Sequence, residues 1–326
     1  MIVYFQGTTF TSHGDYRHDV PAISSRNLHD LQFAEYSFSK QSLLRIDVKF
    51  RDRFLVNYVY GFNTTSYIFF VAVQKRSHLP GDEEKGYVTR LARVCVSDVN
   101  YDTYTEVTLD CGGYGIVRDA FFVERSDSLV SKTDLRGGRN ESFLTATFTN
   151  GKGPEDTGSD LSSAVCVYSL TQINRLFDEN IHNCFNGSMG HRNMEYISGP
   201  IQEGKCPGIG AMGNIHSFCD VGLKISGVFP IVSKPLQEFE GADITSIHFA
   251  ESGDNGGVFV VGTSGGRLLV ILLTPSGDLK LLTDYQLTEV AEVTKVVLAP
   301  DNDIIALQKN SLTKIRASNC AAHKTW

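Results

Sequence analysis

The chain has 326 residues, of which 41% are hydrophobic and 21% charged, and a formal net charge of −7. That apolar content supplies a large core and excludes a disordered chain. The acidic balance excludes nonspecific binding to nucleic-acid phosphates, which needs clustered Lys and Arg. No run approaches the roughly 20 apolar residues that cross a bilayer as a helix; Val258 to Leu273 is broken by Gly262, Gly265, Gly266 and Arg267.

Taken in chain order, Ile2 to Phe5 reads as a strand, and no basic leader or long apolar run of a secretory signal precedes it. Ser25 to Gln32 reads as helical. Leu55 to Tyr60, a turn at Gly61 to Thr65, and Tyr67 to Val73 read as a hairpin of β-branched and aromatic residues. Lys75 to Gly86, charged and carrying Pro80-Gly81, reads as an exposed loop, and so does the Gly- and Asp-rich stretch from Thr149 to Ser163. Leu170 to Asn183 puts Leu170, Ile173, Leu176, Phe177 and Ile181 on one helical face, with Thr171 as its cap. Hairpins return at Gly257 to Val261 with Leu268 to Leu273, and at Ile304 to Leu307 with Leu312 to Arg316. Pro275 to Asp278 and Pro300 to Asn302 supply turns. Such hairpins, recurring every roughly 45 to 60 residues, point to an all-β chain, and to a β-propeller ahead of a sandwich.

Seven cysteines and three Asn-x-Ser/Thr sequons mark the compartment. Cys95, Cys111, Cys166, Cys184, Cys206 and Cys219 fall mid-chain and Cys320 stands alone; the sequons begin at Asn63, Asn140 and Asn186. Disulfides and N-glycans belong to secreted and cell-surface proteins. With no leader legible, the expectation is an internal piece of a longer secreted or membrane-anchored protein. Six cysteines allow 15 connectivities, which spacing alone does not resolve.

The catalytic patterns fail their context tests. Gly262-Thr-Ser-Gly-Gly266 fits G-x-S-x-G, which would make Ser264 the nucleophile of a secreted serine hydrolase. That motif needs a helix after its turn, and Leu268 to Leu273 reads as a strand, so a glycine-rich hairpin is expected. No Gly-Lys-Ser/Thr follows for a phosphate cradle. Asp301-Asn302-Asp303 lacks the glycine and glutamate that complete a calcium loop. His182, Cys184, Cys206 and Cys219 lack the tight cysteine pairs of zinc sites, so cystines are expected. Asp82, Glu83 and Glu84 read as a solvated face. No catalytic residue, metal or cofactor is expected.

Read together, several segments resemble the sema domain of plexins, the cell-surface receptors for semaphorins. They are Asp19 to Leu28, Phe54 to Phe62, Tyr67 to Gln74, Arg90 to Cys95, Tyr104 to Cys111, Ala164 to Ile173 and Cys184 to Gly187. The resemblance implies a seven-bladed propeller, of which this chain is the C-terminal two-thirds, an incomplete ring of about four to five blades. Residues 1–319 would be the partial sema domain, and 320–326 the truncated start of a plexin-semaphorin-integrin module. Cys320 would open that module and stand unpaired in this chain; Trp326 occupies the place of its second cysteine. The family's pairing would join Cys95 to Cys219, Cys111 to Cys166, and Cys184 to Cys206. The implied partner is a semaphorin, met propeller edge to propeller edge, with plexin self-association as a further possibility. No nucleic acid and no direct membrane contact are implied. The match places Ile209, Ala211, Met212 and Asn214, between Cys206 and Cys219, near the ligand. The alternatives are the sema domain of another receptor, or of a semaphorin itself.

Overall fold

The computed structural model describes residues 3–316 apart from 11–19, 38–39, 52, 131–140, 158–159, 199–203, 208–217, 221, 252–255, 275 and 300–302. The chain forms two compact units. The first comprises Met1–Leu109 and Asn174–Ile231, and the second Asp110–Ile173 and Val232–Trp326.

In the first unit, strands Val3–Gly7, Ile23–Asn27 and Leu43–Leu44 form one antiparallel sheet. Strands Val56–Asn63, Tyr67–Lys75, Tyr87–Cys95 and Thr105–Cys111 form a second, and Ile225–Ser226 adds to the last of them in parallel. Ile23, Leu44 and Phe10 from the first sheet's side pack against Val56, Ile68, Phe70, Ala92 and Val94 of the second. Burying these faces removes apolar area worth about 25 cal/mol per Å², so the two sheets stack.

In the second unit, Ile116–Val123, Phe143–Thr149, Ser163–Ser169 and Gln237–Phe239 form a four-stranded antiparallel sheet. Ile244–Glu251, Gly257–Thr263, Arg267–Leu273 and Leu279–Gln286 form another, and Val293–Leu298, Ile304–Gln308 and Ser311–Ile315 a three-stranded one. Phe143, Val165 and Val167 meet Ile247, Phe249 and Val261 in one core. Val260 and Leu268 meet Val296 and Ala306 in the next. The middle sheet is therefore apolar on both faces, which explains the unalternating run Val258 to Val261. Asp119 binds these sheets together: it accepts from the Ile247 amide at 3.0 Å and the Lys295 ammonium at 2.6 Å.

Three sequence readings change. Ser25 to Gln32 is not a helix; Ile23–Asn27 is a strand running into a turn. The Ser25 hydroxyl bonds Ser42 and Tyr101, so partners far along the chain decide its conformation. The helix spans Leu170–Phe185, and Ser169 rather than Thr171 caps it, its hydroxyl accepting from the Gln172 amide at 3.3 Å. Thr171 instead bonds the Glu141 carboxylate through both its amide and its hydroxyl at 3.0 Å. In the first hairpin, Gly61, Phe62 and Asn63 belong to the strand, because Phe62 stacks on Phe69 across the ladder with centroids 4.7 Å apart.

Candidate ligand-recognition surface

The helix Leu170–Phe185 lies against the sheet that contains Tyr67–Lys75 and Tyr87–Cys95 through residues of the first unit. Phe177 packs edge-on to Phe69. Arg93, buried on the strand Tyr87–Cys95, places its guanidinium 4.2 Å from the Tyr67 ring centre and 4.7 Å from that of Phe177. It donates to Asp178 at 2.7 Å and to Asn174 at 3.2 Å. Asn180 clamps the later turn, donating to the Phe229 carbonyl and accepting from the Phe229 amide.

Disulfides join Cys184 with Cys206, Cys95 with Cys219 and, in the second unit, Cys111 with Cys166. The first two bracket the segment that carries Ile209, Ala211, Met212 and Asn214, four residues that lie outside the described ones. Its flanks are well anchored. The Cys206 amide donates to the Gly190 carbonyl, and Arg192 bonds the Gly204 and Lys205 carbonyls. Ile181, Cys184, Phe185, Met189, Leu223 and Ile225 form an apolar knot, against which Cys206 and Phe218 pack.

A buried carboxylate, Glu106, holds the returning flank. It accepts from Ser226 at 3.0 Å, Gln74 at 3.0 Å and Tyr104 at 3.2 Å, with the Arg90 guanidinium 3.5 Å away. Glu106, Ser226, Gln74 and Arg90 line a cleft of about 590 Å³ that also reaches His78 and Tyr196. Burial, and then the charge of Glu106, push the Tyr104 and Tyr196 phenols well above their ordinary range. Burial holds the His78 imidazole below its ordinary value, against the pull of Glu195 at 3.4 Å. Of these groups Glu106 reaches the strand Ile225–Ser226, through Ser226. Sequence reasoning missed Glu106, because a glutamate in an alternating strand ordinarily faces water.

Of the sequon asparagines, Asn63 is exposed at a strand end and Asn186 is exposed just past the helix, while Asn140 lies outside the described residues. So do Cys320 and Trp326. Ser264 sits in the turn between strands Gly257–Thr263 and Arg267–Leu273. Gly266 makes that turn with φ +77, where a side chain would meet the Glu289 carbonyl. A strand, not a helix, follows the serine, so it is not a nucleophile elbow. Among the described residues no group of three or more His, Cys, Asp or Glu is arranged to hold a metal, and no helix is long and apolar enough to cross a membrane.

Stacked sheets, cystines and the exposed sequon asparagines Asn63 and Asn186 define a β-fold of the extracellular kind. The family model of the Sema domain matches residues 117–300, more than half of the chain, and the chain belongs to that family. Within it the chain is similar to plexins. It is 25% identical to Plexin-A4 of Danio rerio over 94% of this chain and 17% of that protein, and 23% identical to Plexin-A4 of Homo sapiens over 83% and 15%. It thus spans about a sixth of the length of these relatives. Among solved structures, the full extracellular region of Plexin A4 superposes with a TM-score of 0.76 at 21% identity, covering 91% of this chain and 31% of that one. Drosophila Semaphorin 1b, extracellular domains 1-2, gives 0.57 at 14%, covering 90% and 61%.

The fold is accordingly an all-β propeller of sema type. Five sheets of three or more strands stand as blades among the described residues. Plexins and semaphorins are receptors and ligands rather than enzymes, and the chain is noncatalytic on that ground. It corresponds to extracellular sequence.

Proposed function

We propose that this chain is the semaphorin-recognising part of a plexin ectodomain, carried on a single-pass plasma-membrane receptor that acts in guidance signalling. The observation that carries this reading is the segment between Cys206 and Cys219. Two cystines hold Cys206 and Cys219, the residues on either side of it, and Glu106 holds Ser226 further on. Small residues such as Ala211 let a partner's backbone approach closely, and a rigid scaffold reduces the ordering cost of binding. Ile209, Met212 and Asn214 would supply the remaining contacts, with plexin self-association using other parts of the ectodomain. Residues 1–319 would form the sema part and 320–326, from Cys320, the start of the next module. Ala211→Glu in the complete ectodomain should abolish semaphorin binding in surface plasmon resonance while leaving secretion intact; undiminished binding would remove this segment from the interface.

A further inference from the structure

A second cleft of the first unit has no part in the reading above. It measures about 760 Å³, and Phe5, Gly7, Tyr58, Gly61, Ile68, Phe70 and Val96 are among the residues that line it, with Asn63 and Thr64 at its end. Strand register explains its form. Gly61 pairs with Phe70 and Asn63 with Ile68, so the two residues share one sheet face with the rings and methyls beneath. The Tyr58 and Phe70 rings meet edge-to-face with centroids 5.9 Å apart. Val96, on the same face beyond Val94, is 46% exposed. Gly61 is exposed, and a Cβ there would lie at ordinary contact distance, 3.8 Å, from the Phe70 ring. Phe70 and Ile68 are themselves buried at 4% exposure, so the accessible apolar surface beside Gly61, two residues from Asn63, is that of half-buried Tyr58 and exposed Val96.

Asn63 begins an Asn-Thr-Thr sequon. The following turn is closed by the Thr64 amide on the Tyr67 carbonyl at 2.8 Å, and Asn63, at the end of its strand, is exposed and lines the cleft. Residues two apart on a strand are separated by about 6.8 Å, close to the length of one sugar residue. N-acetylglucosamine has one face of axial C–H groups, which lies flat on aromatic and aliphatic surface, while its hydroxyls stay in water.

We infer that the cleft is the seat of the chain's own N-glycan: the first N-acetylglucosamine on Asn63 packs over Gly61 onto the half-buried Tyr58 ring and the exposed Val96 side chain. The occupant is the tethered sugar, because the acceptor asparagine is itself part of the lining and attachment makes its local concentration high. The inference rests on the extracellular placement of the chain and not on semaphorin binding.

The test uses the protein secreted from a eukaryotic host, with the exposed Asn186 sequon as internal control. Native digestion with PNGase F, followed by glycopeptide mass spectrometry, gives the release rate at each site. The Asn63 glycan should be released at least about tenfold more slowly than that of Asn186. Gly61→Val places a strand-favouring side chain where the sugar sits, and should bring the Asn63 rate up to the Asn186 rate. Gly61→Ala, a smaller change, should give an intermediate rate if the valine variant fails to be secreted. An unoccupied Asn63, equal release rates in the unaltered protein, or a slow rate that both Gly61 variants leave unchanged would each overturn the inference.

Discussion

His248 shows how one residue on a packed strand sets a pH window. Its ring lies 4.1 Å from that of Phe121, centroid to centroid. Burial first, and then the Lys295 charge, push its pKa down to about 4. The native state therefore holds the neutral imidazole, while the unfolded chain takes up a proton near its ordinary value of 6.5. The stability that His248 contributes is fully present above pH 6.5 and is lost as pH falls from there toward 4. Carboxylates titrate in the lower part of that window as well, so a variant must isolate the histidine. His248→Phe keeps the ring contact and removes the proton site. Urea midpoints measured from pH 7.5 down to about 4 should fall less steeply for His248→Phe than for the unaltered protein; parallel curves would show that His248 titrates normally.

At the scale of elements, the attachment of the helix Leu170–Phe185 to the sheet of strand Tyr87–Cys95 turns on Arg93. Its planar guanidinium serves two aromatic faces and two side-chain acceptors at once, a task for which an ammonium lacks the shape. Arg93→Lys should cost about 2 kcal/mol, the range of a desolvated cation–π contact, read as a lower urea midpoint with an unchanged slope. That helix was legible in the sequence, because Ile173, Phe177 and Ile181 recur at helical spacing and all three are buried. The last two hairpins were legible because their apolar runs are interrupted only by turn residues. Ser25 to Gln32 was misread because the deciding bonds, from Ser25 to Ser42 and Tyr101, span 17 and 76 residues. The candidate surface was legible only through family resemblance: cysteine spacing left the pairing open, and nothing local to Thr105-Glu106-Val107 marks Glu106 as the residue that gathers Gln74, Tyr104 and Ser226.

For the whole molecule, the path of the chain gives the disulfides unequal tasks. The chain leaves the first unit after Leu109 and re-enters it at Asn174. Cys95 and Cys219 lie on opposite sides of that excursion, 124 residues apart, and their bond joins the two stretches from which the first unit is made. Cys184 and Cys206 are 22 apart within the second stretch, and Cys111 and Cys166 are 55 apart within the excursion itself. The chain-entropy relation gives about 5 kcal/mol for the longest loop and about 3 for the shortest, but the location of the loss separates them more sharply than its size. Replacing Cys95 and Cys219 together with serine should release the returning stretch. Hydrogen exchange should then rise most at Ile225–Ser226 and at the turn held by Asn180, where bonds reach across to Glu106 or along to the helix. The corresponding Cys111 and Cys166 variant should leave those amides protected and loosen Ser163–Ser169 instead, since its bond anchors that strand. Uniformly faster exchange along the whole chain in both variants would mean that the bonds act on the unfolded state alone and hold no particular segment in place.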